Sequence, residues 1–343
     1  MRTILSTICA AVLATLCSCT PQQVPIQIIF DTDLGNDVDD AIAMDMLYKY
    51  ADEGKIEILA EGISKDGVPA AEYLDLLNNW YGYAEVPMGI ILNGSDPETQ
   101  ARCYTEHVSD LTLEDGTPMF KKTEGLDYSA LPQTHILYRK VLSQSEDRSV
   151  TLVTVGFSTN LARLLDTPAD EYSSLDGKEL VAAKVKNLVM MAGRFDDPEY
   201  VEFNILKDVP AARKVVSEWP TPIVFAPFEL GLQVCYPATS IENDFGWTEN
   251  HPVVEAYKVY TTMPYDRPCW DPAALVYAVE GDKWFGVSAP GKIVISERGT
   301  TSFEESPTGT HTYLTVTPEQ AVALKNHIVE VVSASPFLKE NNK

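Results

Sequence analysis

Five carboxylates crowd into ten residues of this 343-residue chain, at Asp31-Thr32-Asp33-Leu34-Gly35-Asn36-Asp37-Val38-Asp39-Asp40. Held close together they repel one another strongly, so either they splay into water or a cation draws them in. The flanks argue for the cation. Ile28-Ile29-Phe30 before the cluster and Ala41-Ile42-Ala43 after it are apolar, and burying both flanks keeps the carboxylates from all turning outward. A set of oxygen-only donors suits a hard divalent cation such as Ca²⁺ or Mg²⁺. Helix capping is the competing explanation, because acidic side chains are favoured at a helix start. It covers one or two of the five, Asp37 and Asp39 first, and leaves the others without a reason.

The elements that must position these groups alternate in type. Residues 26–31 read as a strand and 38–53 as a helix, which places the cluster on the turn between them. Further strands are predicted at 56–63, 87–92, 150–155, 187–191 and 222–225, and further helices at 68–83, 134–145, 160–165, 209–218, 272–279 and 318–333. Alternation of this kind builds βαβ units, hence an α/β fold: an open, mostly parallel sheet with helices on both faces and a Rossmann-like core. Such sheets bind ligands at the carboxyl ends of their strands, which is where the cluster falls. Two spans, 93–132 and 228–267, break the alternation; the first reads as a lid or an excursion. No composition shift marks a second domain, so residues 26–343 are read as one.

Four later stretches carry further polar groups at strand ends and helix starts. They are Thr151-Leu152-Val153-Thr154-Val155-Gly156-Phe157-Ser158-Thr159-Asn160, Val189-Met190-Met191-Ala192-Gly193, Glu202-Phe203-Asn204 with Asp208 and Ala211-Ala212 behind it, and Trp270-Asp271-Pro272. With the aspartate cluster, and in this order over residues 26–279, they resemble the inosine–uridine nucleoside hydrolase family. That family's hallmark is a strand followed by Asp-x-Asp-x-Gly-x-Asp-Asp-Ala, and this chain is similar to a longer variant with two extra residues inside the motif. The resemblance implies Ca²⁺-dependent hydrolysis of the N-glycosidic bond of ribonucleosides to base and ribose. It implies Asp33 as both metal ligand and the base that takes the water's proton, Asp40 as a bidentate ligand, the carbonyl of Val155 as a backbone ligand and Asp271 as the last protein ligand. Glu202, Asn204 and Asp39 would hold the sugar hydroxyls, and Asp31 would support the site from behind. A bound divalent cation lowers the pKa of its water and orients hydroxyls, so the chemistry is coherent with the donor types.

The chain also departs from that pattern. Counting forward from Asp33 puts Asp37 in the sugar-binding place, whereas counting back from Ala41 puts Asp39 there; the helix start favours Asp39. Members that prefer pyrimidines or inosine carry a His before the late Asp, and purine-preferring members a Trp. Here the residue is Trp270, which makes a purine nucleoside the expected substrate, with the ring stacking on the base. Two Asn residues of the family pattern are missing: Gly62-Ile63 stands for Gly-Asn, and Asp196 or Asp197 for the Asn ahead of Glu202. Asn160 is expected to cap a helix, Trp80 and Tyr81 to pack, and Tyr104 and His107 to belong to a lid.

The formal net charge of −24 excludes long DNA or RNA as a partner and leaves a small neutral nucleoside untouched. Arg2, the apolar stretch 4–16 and Leu16-Cys17-Ser18-Cys19 resemble a bacterial lipoprotein leader: residues 1–18 as signal peptide, Cys19 as the lipidated residue and 19–25 as a tether. With no Asp after Cys19, the expected place is the outer membrane, facing the periplasm. Cys103, Cys235 and Cys269 show no zinc-type pairing; an oxidising compartment leaves room for one disulfide among them, and free thiols are the expectation. The family resemblance implies homo-oligomers. Two other readings stay open. Phe30-Asp31-Thr32-Asp33 is similar to the nucleophile motif of haloacid dehalogenase-type phosphatases, and the pocket could serve a metal-dependent nucleoside- or sugar-binding protein without turnover.

Overall fold

Side chains along each inner strand alternate between two separate cores, and this alternation sets the layering of the molecule. A computed structural model describes residues 24–95 and 104–336. Strand β1 (Ile26–Thr32) sends Ile28 and Phe30 to one core and Ile29 to the other, all three without exposure. The strands that follow are β2 (Ile56–Ile63), β3 (Met88–Gly89), β4 (Val150–Thr154), β5 (Val185–Met191) and β6 (Ile223–Ala226). β5 splits in the same way, with Val189 and Met191 facing the first core and Leu188 and Met190 the second.

β7 (Cys235–Tyr236) and β8 (Arg267–Pro268) form a separate antiparallel ribbon, and β9 (Gly286–Val287), β10 (Gly291–Ile295), β11 (Thr301–Glu305) and β12 (His311–Thr315) extend the main sheet. Its order is β11-β10-β12-β6-β5-β4-β1-β2-β3, with β9 on β12. Every pairing from β3 across to β12 is parallel, and β9, β10 and β11 join antiparallel. The sheet is open and mostly parallel, as its alternating elements predict.

Strand order reverses between β1 and β4: the chain leaves β1 for β2 on one side and returns to β4 on the other. A crevice opens at the carboxyl ends of two strands that part in this way. Over the first core lie α1 (Asp39–Asp52), α2 (Val68–Tyr81) and the short α3 (Tyr104–Ser109); over the second lie α4 (Thr134–Gln144), α5 (Thr159–Leu165) and α6 (Gly177–Lys184). α7 (Phe203–Lys207) leads directly into α8 (Val209–Glu218), where the Asp208 carboxylate caps the Ala211 N–H at 3.1 Å. α9 (Phe228–Gly231), α10 (Ala238–Asn243), α11 (Pro252–Tyr260), α12 (Trp270–Glu280) and α13 (Pro318–Ser333) complete the set. α1 is buried on nearly every side, the condition in which a helix loses its polar face.

Several expectations need correction. β3 is shorter than the predicted 87–92, because Ile90 turns to bond Pro132 and Thr134 instead of a neighbouring strand. The described part of the 93–132 span is anchored rather than loose: the buried Asp75 of α2 accepts from Thr123 N, Thr123 Oγ1 and the Tyr128 hydroxyl at 2.6–2.9 Å. The span 228–267 holds three helices, and α6 adds one where none was predicted. Beyond residue 279 the predicted helix at 318–333 is present as α13, and four strands, β9 to β12, stand where none was predicted. No helix among the described residues is long and apolar enough to cross a membrane. The leader, Cys19 and Cys103 lie outside the described residues; Cys235 and Cys269 are free.

Candidate active site

The carboxyl end of β1 carries two aspartates with opposite duties. Asp31 points back into the protein, where Tyr138 and Asn160 donate to Oδ2 at 2.8 Å each and Thr154 to Oδ1 at 3.1 Å. Burial nevertheless pushes its pKa up to about 7, against those three hydrogen bonds. Asn160 is therefore not a helix cap: it ties Asp31 to the Ile63 carbonyl across the sheet. Asp33 faces the crevice. Gly156, after β4, lets the two strand ends meet, since a Cβ there would fall 2.6 Å from Asp33 N and 2.3 Å from Ser64 Oγ.

The turn between β1 and α1 is pinned from outside. Gly35 takes φ +103°, a left-handed conformation suited to glycine, and its N–H donates to the Tyr104 hydroxyl at 2.9 Å. That hydroxyl in turn donates to the Asp37 carbonyl at 3.1 Å. Tyr104 is fully buried, so it is a prop for the turn rather than part of a lid; His107 is exposed. Asn36 donates its amide to Asp33 Oδ2 at 2.5 Å. Asp40, at the start of α1, accepts from the Thr32 hydroxyl.

Arg267 of β8 draws the two remaining aspartates together. Its Nη2 is 2.5 Å from Asp37 Oδ2 and 3.0 Å from Asp39 Oδ1, and its Nε donates to Asp39 Oδ1 at 3.1 Å. Tyr260 donates to Asp37 Oδ1 at 2.6 Å. The other oxygen of Asp39 accepts from the N–H groups of Trp270 and Asp271, at 3.0 and 3.2 Å. Asp39 thus caps α12 from a distant part of the chain, and both its oxygens are engaged. Burial pushes Arg267 down, but Asp39 and Asp37 hold it above the ordinary arginine range.

Glu202 and Asn204 close the opposite wall. Glu202 caps α7, accepting from Asn204 N at 2.8 Å, Ile205 N at 3.2 Å and Gly193 N at 3.3 Å. Burial raises its pKa to about 7. Asn204 donates to the Val155 carbonyl at 2.8 Å. Trp270 stacks on Phe228 with ring centroids 5.1 Å apart, and its indole N–H donates to the Phe228 carbonyl at 2.8 Å. The Arg267 guanidinium covers Trp270 at 4.9 Å.

One recess of ≈ 370 Å³, counting its open mouth, is lined by Asp33, Asp37, Asp39, Asp40, Val155, Glu202, Asn204, Trp270 and Asp271, with Asn36, Met191, Phe203 and Phe228. The motifs singled out in the sequence therefore meet in one place. Asp196 and Asp197 do not join them: Asp196 bonds the Arg194 guanidinium at 2.5 Å and Asp197 the Glu199 N–H at 3.1 Å. Trp80 and Tyr81 pack around His251, away from the recess. Sequence reasoning missed Arg267, Asn36 and Phe228. Asn36 lies inside the motif and was readable there; a lone Arg in an irregular stretch gave no signal.

The recess is electrostatically loaded. Burial, and then Asp33 and Asp39, push Asp40 well above the carboxylate range; burial, and then Asp39, Asp40 and Asp33, do the same to Asp271. Asp33 rises to about 7, chiefly through burial, while Asn36 and Lys65 pull it down and Asp37 pushes it up. The donor set fits a hard cation: three buried carboxylates that repel one another, the Val155 carbonyl, and the buried Asn36 Oδ1, which has no hydrogen-bond partner. Among the described residues, no three His, Cys, Asp or Glu side chains already stand as a metal-holding group; Thr32 and Asn36 take up Asp40 and Asp33 oxygens instead.

Buried carboxylates beside stacked aromatic rings, at the carboxyl edge of an open, mostly parallel sheet, define the class: an α/β-fold enzyme with an acidic site. The family model for the inosine-uridine preferring nucleoside hydrolase matches residues 28–326, and the chain belongs to that family. It is an N-glycosyl hydrolase whose substrates are nucleosides. Among solved structures, the chain is similar to a plant nucleoside hydrolase at 19% identity, covering 91% of this chain and 100% of that one with a TM-score of 0.68. The inosine-uridine preferring nucleoside hydrolase from Bacillus anthracis matches at 18% identity, 89% and 99% coverage and a TM-score of 0.64. A purine-preferring ribonucleoside hydrolase from Gardnerella vaginalis matches at 15%, 90% and 100%, with a TM-score of 0.65. At these identities the likeness speaks for the fold. No curated protein matches the chain.

Proposed function

We propose that this chain is a Ca²⁺-dependent hydrolase of purine ribonucleosides, anchored through lipid on Cys19 to the outer membrane and facing the periplasm. The observation that carries the chemistry is the single recess in which Asp33, Asp40, Asp271 and the Val155 carbonyl meet Glu202, Asn204 and Trp270. Asp33, Asp40, Asp271 and Val155 would hold the ion, which when bound supplies a water of lowered pKa and an anchor for sugar hydroxyls. Asp33 accepts the proton at Oδ1, since Oδ2 is engaged by Asn36. Asn204 commits its amide N–H to Val155 and keeps its oxygen for a hydroxyl; Glu202 retains lone pairs beyond its capping bonds.

On the leaving side stand Trp270 and Phe228, with no histidine among the described residues that line the recess. Structural relatives include both inosine-uridine- and purine-preferring enzymes, so the likeness does not choose between bases. The purine reading rests on Trp270 standing where purine-preferring members of the family carry a Trp; its ring here meets Phe228 and the Arg267 guanidinium. Asp39, with both oxygens engaged, serves here by holding Trp270 and Asp271, and Asp37 holds Arg267.

The test is release of free ribose from inosine, adenosine, guanosine, uridine and cytidine with Ca²⁺ present. Purines should lead, and Asp33→Ala, losing base and ligand together, should slow release by about 10³-fold or more. Equal turnover of all five, or an unaffected Asp33→Ala, would overturn the reading. Membrane attachment lost in Cys19→Ser checks the anchor; a Cys19→Ser chain that still fractionates with membranes would refute it.

A further inference from the structure

Residues 34–38, where the longer motif carries its two extra residues, are held by three side chains from distant parts of the chain. Tyr104 bonds Gly35 N and the Asp37 carbonyl, and Tyr260 and Arg267 bond the Asp37 carboxylate. A turn fixed at so many points presents its remaining polar side chain in a defined way, and that side chain is Asn36. It is only 3% exposed and lines the recess. Its Nδ2 donates to Asp33 Oδ2 at 2.5 Å, while its Oδ1 is buried without a partner. A buried amide oxygen left unsatisfied costs free energy unless something occupies the space before it.

We infer that Asn36 is a positioning residue for hydrolysis: its amide N–H fixes the Asp33 carboxylate, and its orphaned Oδ1 is a neutral oxygen donor to whatever cation or cation-bound water the recess takes up. The two ends of one amide then have separate uses. Donation to Oδ2 leaves Asp33 Oδ1 free to face the reacting water, and the amide oxygen adds to the donor set without adding charge to an already repulsive cluster. Isosteric aspartate would keep an oxygen at the second position and lose the donor at the first.

This rests on the proposed cation site, and two readouts keep the failures apart. The full-length chain, stripped with chelator, is titrated with Ca²⁺ by calorimetry, and kcat and KM for inosine are measured separately. Asn36→Ala should bind Ca²⁺ about tenfold more weakly or worse and lose kcat by a similar factor, the size usual for groups that orient ligands. KM for inosine should stay nearly unchanged. Asn36→Asp should recover Ca²⁺ binding without recovering kcat, a split that loss of packing would not produce. Asn36→Ala with parental Ca²⁺ affinity and parental kcat would overturn the inference. A parent chain that releases ribose yet binds no Ca²⁺ would overturn the donor role together with the cation reading, and the kcat of Asn36→Ala then decides the hold on Asp33 alone.

Discussion

Of the three carboxylates that helix α1 buries, Asp40 and Asp45 lie about one and a half turns apart and live in opposite surroundings. Asp45 has its own cation: Lys49 Nζ lies 2.8 Å away, Tyr81 donates a hydroxyl, and His251 stands at 3.6 Å inside a box of Trp80, Tyr81, Phe245 and Trp247. Asp40 has Thr32 and, around it, further aspartates. Both side chains are almost wholly buried, so desolvation is shared and only the neighbours differ. Asp45 is answered inside the fold and ties α1 to α2 and to the chain ahead of α11. Asp40 is left facing like charge, and a fold keeps such an arrangement at a ligand site, where an outside charge can answer it.

The comparison can be broken by removing the internal cation. Lys49→Met leaves Asp45 buried and unpaired, which should cost about 3–5 kcal/mol of stability in urea unfolding while ribose release per folded molecule stays at the parental rate. A matching loss of activity would mean that the two ends of α1 are not separate regions. The cation arm is somewhat smaller. Ca²⁺ at a hundred times its Kd should stabilise the parent by about 2.7 kcal/mol; Lys49→Met should keep that gain, and Asp40→Asn should lose most of it. A gain of equal size in Asp40→Asn would remove Asp40 from the ion's ligands.

A third buried carboxylate sharpens the contrast. Glu61 on β2 has neither a cation nor a cluster: Asn78 donates to it at 2.7 Å, and burial pushes its pKa up to about 8. The folded chain therefore holds a proton that the unfolded chain releases between about pH 4.5 and 8. Its contribution is complete below that window and is lost as pH rises through it. Glu61→Gln should flatten the fall in stability over this range, by no more than about 1.4 kcal/mol per pH unit. An unchanged slope would show that Glu61 is ionised in the folded state.

Much of this was legible in the sequence, for a physical reason. The residues of the recess stand at strand ends and helix starts, and the alternation of strand and helix is written in local apolar periodicity. Once β1, β4, β5 and α12 are recognised, Asp33, Val155, Met191 and Asp271 have nowhere else to converge. The contacts that hold the turn were not legible, because they join residues far apart. Tyr104 was read as a lid residue since its neighbours are irregular, yet its hydroxyl is under Gly35. Asn160 was read as a cap from its place at a helix start, while its partner, Asp31, lies on another strand. The helices between 228 and 267 escaped because they are short, and two of them follow directly on Pro227 and Pro237. β10 and β11 pair antiparallel at the sheet's end, where no helix intervenes to announce them.

Arg267 has a consequence for how such a site can change over generations. Its guanidinium answers Asp37 and Asp39 together, so the length of the turn and the identity of residue 267 are coupled characters. Shortening the turn removes one of the arginine's two anions; replacing the arginine sets the two aspartates against each other beside the α12 start. Residues sharing a network of this kind depart from additivity, and each single step passes through a less favourable intermediate. The turn and its arginine therefore behave as one unit, and a change at either is felt at the start of α12 through Asp39.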